Sequence, residues 1–193
     1  MQGPKGRKSC KENEPNQSLA PYMADNLQRH LVVADPQHDR NLRHVGVVGD
    51  TYTILLSGED TQGRYCLVDM HVPPGGGPPP HRHDFEESFT VLAGEIEATF
   101  RGEKSIVRTG QTIHIPANAP HSFSNASQQP ARLLCICSPA GQEEFFVAIG
   151  VPLADRTTPA PTPDPATQAA MMAKVRAILP KYRTEMMEAG LSK

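Results

Sequence analysis

The chain has 193 residues, with 19 Lys plus Arg against 21 Asp plus Glu, a formal net charge of −2 and a hydrophobic fraction of 38%. That is the length of one domain with tails, and the near-neutral charge argues against nucleic-acid binding, which normally shows as a basic surface. No apolar run approaches the roughly eighteen residues of a membrane helix. The opening residues lack the apolar centre of a secretory signal, so a cytoplasmic protein with no membrane or nucleic-acid partner is the expectation.

Residues 1–20 carry charge, Pro, Asn and Gln without periodicity and read as a flexible arm. Leu31 to Ala34 suggests a short strand. Short β-rich segments follow at Thr51–Ser57, Arg64–Val72, Glu87–Ala93, Glu95–Arg101, Lys104–Thr109, Gln111–Ile115, His121–Asn125 and Ala131–Ser138, each bounded by turn residues. Their turns are too short for crossover helices, which excludes a parallel sheet and indicates an all-β sandwich or barrel. Gln142–Ile149 predicts a helix packed on that barrel. The prolines from Pro152 to Pro165 predict an extended strap. Asp164 is a candidate N-cap with Pro165 at the first helical position. Met172, Val175 and Leu179 then form one stripe, fit for docking on the domain's own core or on a second copy, before Pro180 ends or kinks the helix.

His81 and His83 are two apart, and the triple proline Pro78–Pro80 forbids a helix entering there. On a strand, both histidines and Glu87 share one face, followed by Phe89 and Val91. The competing Glu86 has the opposite parity, as does Arg82, which is expected at a surface or interface. His121, just after the turn Pro116–Pro120, is the fourth candidate. Two or three imidazoles and a carboxylate suit a divalent transition metal. His114 is expected to be hydrogen-bonded or at an interface, His71 to be in a polar cluster or exposed, and His30, His38 and His44 carry no assignment. None of the cysteines Cys10, Cys66, Cys135 and Cys137 forms a C-x-x-C pair, and they read as buried small hydrophobes rather than ligands. Phe89, Val91, Ile96, Ala98 and Phe100 alternate suitably to line or underlie an apolar pocket.

Gly75, His81, His83, Glu87 and Gly94 resemble the first cupin motif, G-x5-H-x-H-x3-E-x6-G. Gly110, Pro116, His121 and Asn125 resemble the second, G-x5-P-x-G-x2-H-x3-N, with Asn118 replacing its central glycine; Asn tolerates the positive φ that position needs. Glu143–Pro152 is similar to the tail of single-domain cupins of the quercetin dioxygenase-like type. The resemblance implies a double-stranded β-helix (jelly-roll) barrel with a C-terminal helical extension. We divide the chain into an arm (1–20), a barrel domain (21–150) and a strap with helix (151–193). It also implies one divalent metal (Fe, Ni, Mn, Cu or Zn) held by His81, His83, Glu87 and His121, with Glu87 also a catalytic proton acceptor. The expected function is metal-dependent binding of a small organic molecule, by a dioxygenase of quercetinase type. The alternatives are a non-redox, isomerase-like cupin and a ligand-binding module without turnover. No basic helix-turn-helix segment precedes the barrel, which disfavours a DNA-binding regulator. A homodimer is expected, because pairing of barrels covers exposed sheet edges.

Overall fold

The structure is a computed structural model that describes residues 24–161 and 164–187. The arm expected over 1–20, with Cys10, lies outside the described residues. The chain forms two compact units, Met1–Leu31 and Val32–Lys193. In the first, residues 24–31 contain a turn in which the Arg29 N–H donates to the Asn26 carbonyl at 3.0 Å.

Among the described residues twelve strands run in order: β1 (His44–Val47), β2 (Asp50–Leu56), β3 (Cys66–Val72), β4 (His81–His83), β5 (Glu86–Ala93), β6 (Glu95–Phe100), β7 (Glu103–Arg108), β8 (Thr112–Ile115), β9 (His121–Ser124), β10 (Ala131–Ser138), β11 (Val151–Leu153) and β12 (Thr184–Met186). The helices are α1 (Gly58–Thr61), α2 (Gln142–Ile149) and α3 (Pro165–Ile178), the last followed by a 3-10 turn over Leu179–Tyr182. One sheet has the order β11-β1-β2-β3-β10-β5-β8 and the other β12-β4-β9-β6-β7. All pairings are antiparallel. Alternation sends Val68 and Met70 (β3), Phe89 and Val91 (β5), Ile96 (β6), Phe123 (β9) and Leu133 (β10) into the shared core.

The eight β-rich segments form strands within two residues of their expected ends. Leu31–Ala34 does not: it pairs with nothing, and Leu31 is 91% exposed. β1, by contrast, was missed in the weakly structured approach. It forms because Val48 (φ 51°) and Gly49 (φ 95°) make a tight two-residue turn that folds it onto β2. β11 and β12 carry little local strand signal. β11 contains Pro152, which is tolerable because the strand lies at a sheet edge. β12 forms by adding to β4, placing Met186 opposite His81 and Thr184 opposite His83. Exposed ion pairs of Arg82 with Glu185 and Asp84 with Arg183 flank this pairing. Arg82 therefore does point outward.

Asp164 caps α3 by accepting from the Ala166 and Thr167 N–H groups. Along its stripe Val175 and Leu179 are buried in the chain's own core, with Met172 beside them, so that face is used within the molecule.

The approach to His81 is fixed by Asn125, a residue with no exposed surface. Its side-chain amide donates to the carbonyls of Val72 and Gln129, and its Oδ1 accepts from Ser127. Its backbone pairs with Gly75 and Gly76. Within that loop Gly77 adopts φ 119° and lies against the Phe123 carbonyl, so any side chain there would collide. Asn125→Ala is expected to lower unfolding stability by about 1–3 kcal/mol, because buried partners lose their hydrogen bonds. A urea titration checks this, and an unchanged midpoint would exclude the role.

Candidate metal centre and cavity

β4 delivers His81 and His83, β5 delivers Glu87, and β9 delivers His121, which pairs directly opposite His81. Their ligand atoms lie within 4.8 Å of one another. His83, Glu87 and His121 are each under 5% exposed, while His81 is half-buried.

Each imidazole is held from behind by a backbone carbonyl. The Nδ1–H of His81 donates to Pro79, that of His83 to Phe85 and that of His121 to Ala119, each at 2.9 Å. A carbonyl only accepts, so the proton sits on Nδ1, and in the neutral ring the Nε2 lone pair faces inward. Phe85 also stacks on His83 at 3.8 Å between centroids. The turn before His121 is tied to the first motif, because the Asn118 N–H donates to the His83 carbonyl at 2.6 Å. Asn118 has φ 66°, as its place in the motif requires.

Glu87 Oε2 lies 3.1 Å from His83 Nε2 and 3.2 Å from His121 Nε2. Burial raises the affinity of its carboxyl for a proton. When Nε2 of His121 and His83 also carries a proton, the hydrogen bonds and charge of those rings outweigh that and hold it well below the usual carboxylate range. Burial also keeps His81 uncharged, depressing it to about 4. Inward lone pairs and a carboxylate oxygen thus converge where only protons or a cation can separate them. That donor set fits a divalent transition metal.

The other oxygen of Glu87 accepts from Cys135 Sγ at 3.4 Å and from Cys137 Sγ at 3.5 Å. The Cys137 contact lowers Cys135, but burial and the Glu87 charge push it up to about 12, so it remains a thiol donor. Both cysteines are buried, as expected. Their contact with Glu87 was missed, because it depends on β10 placing Cys137 opposite Glu87.

Glu86 faces outward, where it pairs with His114 Nε2 at 3.0 Å and accepts from the Ala117 N–H. His114 also meets Ser88 Oγ at 3.1 Å, the hydrogen-bonded role expected of it. His71 is half-buried on the outer face near Asp69 and Arg156.

A cavity of about 110 Å³ adjoins the cluster, with His81 and Glu87 in its wall. Tyr52, Met70, Phe89 and Phe123 line its barrel side, and residues of α2, α3 and β12 cover it. Among the five apolar residues expected at a pocket, Phe89 lines it. Val91, Ile96 and Ala98 are packed in the core, and Phe100 carries Arg101 over its ring.

Asp50 also lines the cavity and escaped notice in the sequence, because a carboxylate at the start of a strand normally marks a turn. Burial pushes it up to about 7, against the opposing pull of the Tyr52 hydroxyl and the Gly77 amide.

The family model described as "Cupin domain" matches residues 68–137. An uncharacterized protein of Methanocaldococcus jannaschii is 34% identical over 116 residues, covering 59% of this chain and 93% of that protein. Quercetin 2,3-dioxygenase of Bacillus subtilis is 26% identical over 102 residues, covering 52% of this chain but only 30% of the enzyme. Among solved structures, a predicted oxalate decarboxylase from Thermotoga maritima matches with a TM-score of 0.50 at 19% identity. That match covers 56% of this chain and 99% of the other, and bears on the fold alone.

Two outcomes are expected. His81→Ala and His121→Ala should each lower metal content at least tenfold by elemental analysis while the far-ultraviolet dichroism stays native; full occupancy in both would exclude the four-ligand site. Asp50 binds more protons folded than unfolded between about pH 4 and 7, so stability should fall as pH rises through that window, by up to roughly 4 kcal/mol. Asp50→Asn should remove this slope in urea midpoints and be the more stable protein above pH 7.

Proposed function

The chain belongs to the cupin family, and on that footing we propose that it holds a divalent transition metal through His81, His83, Glu87 and His121 and dioxygenates a small organic molecule bound beside it. The observation that carries the reading is the convergence of four ligand-type side chains at the wall of an apolar cavity. A bound iron, nickel, manganese or copper ion would supply Lewis acidity and a route for electrons to dioxygen.

The chain's own residues supply the rest. Tyr52, Phe89 and Phe123 bind an apolar body and exclude water. The carbonyls behind His81, His83 and His121 fix the rings so that little reorganisation accompanies binding. Glu87 Oε2, the oxygen facing the histidines, accepts a proton from an acidic substrate hydroxyl when it gives up the His83 and His121 contacts that otherwise hold the carboxyl below its usual range, while the thiols of Cys135 and Cys137 retain Oε1. The similarity to the Bacillus subtilis enzyme supports dioxygenation, although the matched region is 30% of that enzyme.

The second reading is a non-redox cupin, isomerase-like or purely ligand-binding, with zinc or another ion in the same residues. The residues that α3 and β12 place in the cavity wall favour it, because a partly covered cavity suits retention of a ligand. No helix among the described residues is long and apolar enough to cross a membrane. A cytoplasmic homodimer is part of the proposal, paired through surfaces other than the buried Val175–Leu179 face.

Elemental analysis of protein purified without added metal or a histidine tag, followed by an oxygen-electrode screen, separates the two readings. Iron, nickel, manganese or copper near one per chain with oxygen uptake, abolished by His121→Ala, is the expected result. Zinc with no uptake in any metal form would move the assignment to the second reading. Light scattering should give twice the chain mass; a monomer would remove the dimer.

A further inference from the structure

Among the described residues, three buried side-chain atoms have no hydrogen-bond partner: Asp50 Oδ1, Gln142 Oε1 and Arg156 Nε. The Arg156 atom lies 3.7 Å from Asp69, on the outer face of the sheet. The other two belong to residues that line the cavity beside His81 and Glu87, and those residues come from different elements, the start of β2 and the start of α2. Asp50 is 2% exposed and Gln142 6%. An unpaired polar atom at such depth is costly and ordinarily finds a partner. Two such atoms on one cavity indicate a partner that the protein does not itself supply.

The chemistry of that partner is constrained. Both free atoms are oxygens: Gln142 Oε1 only accepts, and Asp50 Oδ1 accepts whenever its carboxyl is ionised, so the partner that suits both is a donor. Asp50 Oδ2 already accepts from the Tyr52 hydroxyl at 3.0 Å, and the Gly77 amide also pulls on the carboxyl, so the group is held in place. Gly76 leaves room for Oδ1, since a Cβ there would collide with it. Among the described residues no Lys or Arg lines the cavity, so an anionic group brought against Asp50 would meet no side-chain cation there. Apart from His81, Glu87 and Thr184, the remaining wall is mostly aromatic and aliphatic, with Phe89, Phe123, Phe145 and Phe146 prominent.

We propose that Asp50 and Gln142 form the recognition site for the polar end of the ligand, and that this end is a hydrogen-bond donor, an amine or a hydroxyl, carried on a small apolar body. This rests on the reading of the cavity as the ligand site of the metal centre. An amine carries more than one N–H and a hydroxyl a single O–H, so only the amine has a donor for each oxygen. Water is the competing occupant, but it would sit in a largely apolar space and donate to two acceptors there. Burial of the Asp50 carboxyl is consistent with a position that loses stability to keep an acceptor available.

The test is a matched series of one-ring probes differing only in the end group: benzylamine, benzyl alcohol, toluene and benzoate, titrated by calorimetry into the full chain with its metal content measured. Benzylamine is expected to bind at least about tenfold more tightly than toluene and benzoate, with benzyl alcohol between. Asp50→Ala and Gln142→Ala should each erase that preference while toluene binding persists. Equal binding of toluene or benzoate, survival of the preference in both variants, or binding of none of the four to the wild-type chain would overturn the proposal, the last leaving water as the occupant. The wild-type series decides the matter even if a variant fails to fold. His121→Ala separates the two readings. An amine preference in a chain whose metal does not depend on His121 removes the metal assignment alone. One metal per chain without the preference removes this proposal alone.

Discussion

A carboxylate buried among three imidazoles and two thiols is the constraint around which this barrel is organised. Left alone in a protein interior, the Glu87 charge would cost several kcal/mol, and the group would take a proton instead. Here each oxygen has its own set of neighbours. Oε2 faces His83 and His121, and Oε1 accepts from Cys135 and Cys137. The neighbours come from β4, β9 and β10, so the two sheets must close on each other for the charge to be tolerated. Packing of Phe89 against Phe123, 5.2 Å apart between centroids, adds an apolar seam directly beside the site.

Backbone geometry, more than side-chain contact, gives the cluster its direction. Three carbonyls, from Pro79, Phe85 and Ala119, take the Nδ1 protons and turn the Nε2 lone pairs inward. Two of these, from Pro79 and Ala119, lie in turns set by proline or by a positive φ. The Asn118 N–H then fastens the second of those turns to His83. The two histidine-bearing segments are thereby one mechanical unit, joined by this hydrogen bond and by the pairing of His81 with His121.

The C-terminal segment contributes more than a decoration on the barrel. β12 completes the hydrogen bonding of β4 on the side away from β9, so the strand that carries His81 and His83 is paired on both edges. α3 sets its apolar stripe over the cavity. The flanking ion pairs, Arg82 with Glu185 and Asp84 with Arg183, are exposed and each contributes little. The pairing itself and the apolar cover do the holding. Access to the cavity and support of the candidate metal ligands are therefore linked through the same twenty or so residues.

Local rules carried much of this in the sequence. Alternation placed His81, His83 and Glu87 on one face and turned Glu86 and Arg82 outward, because strand parity is a property of the backbone. Asp164 with Pro165 announced α3, because capping is decided within one turn of helix. The spacing of the two motifs, Gly75 to Gly94 and Gly110 to Asn125, identified the family and the likeness in fold. What the sequence could not carry was anything set by register between distant strands. The meeting of Cys135 and Cys137 with Glu87, the addition of β12 to β4, the lone oxygen of Asp50 and the choice of the Met172–Leu179 stripe to cover its own cavity all arise from pairings between segments far apart in the chain. Those pairings are decided by burial of the whole core, and only the folded chain brings the residues together.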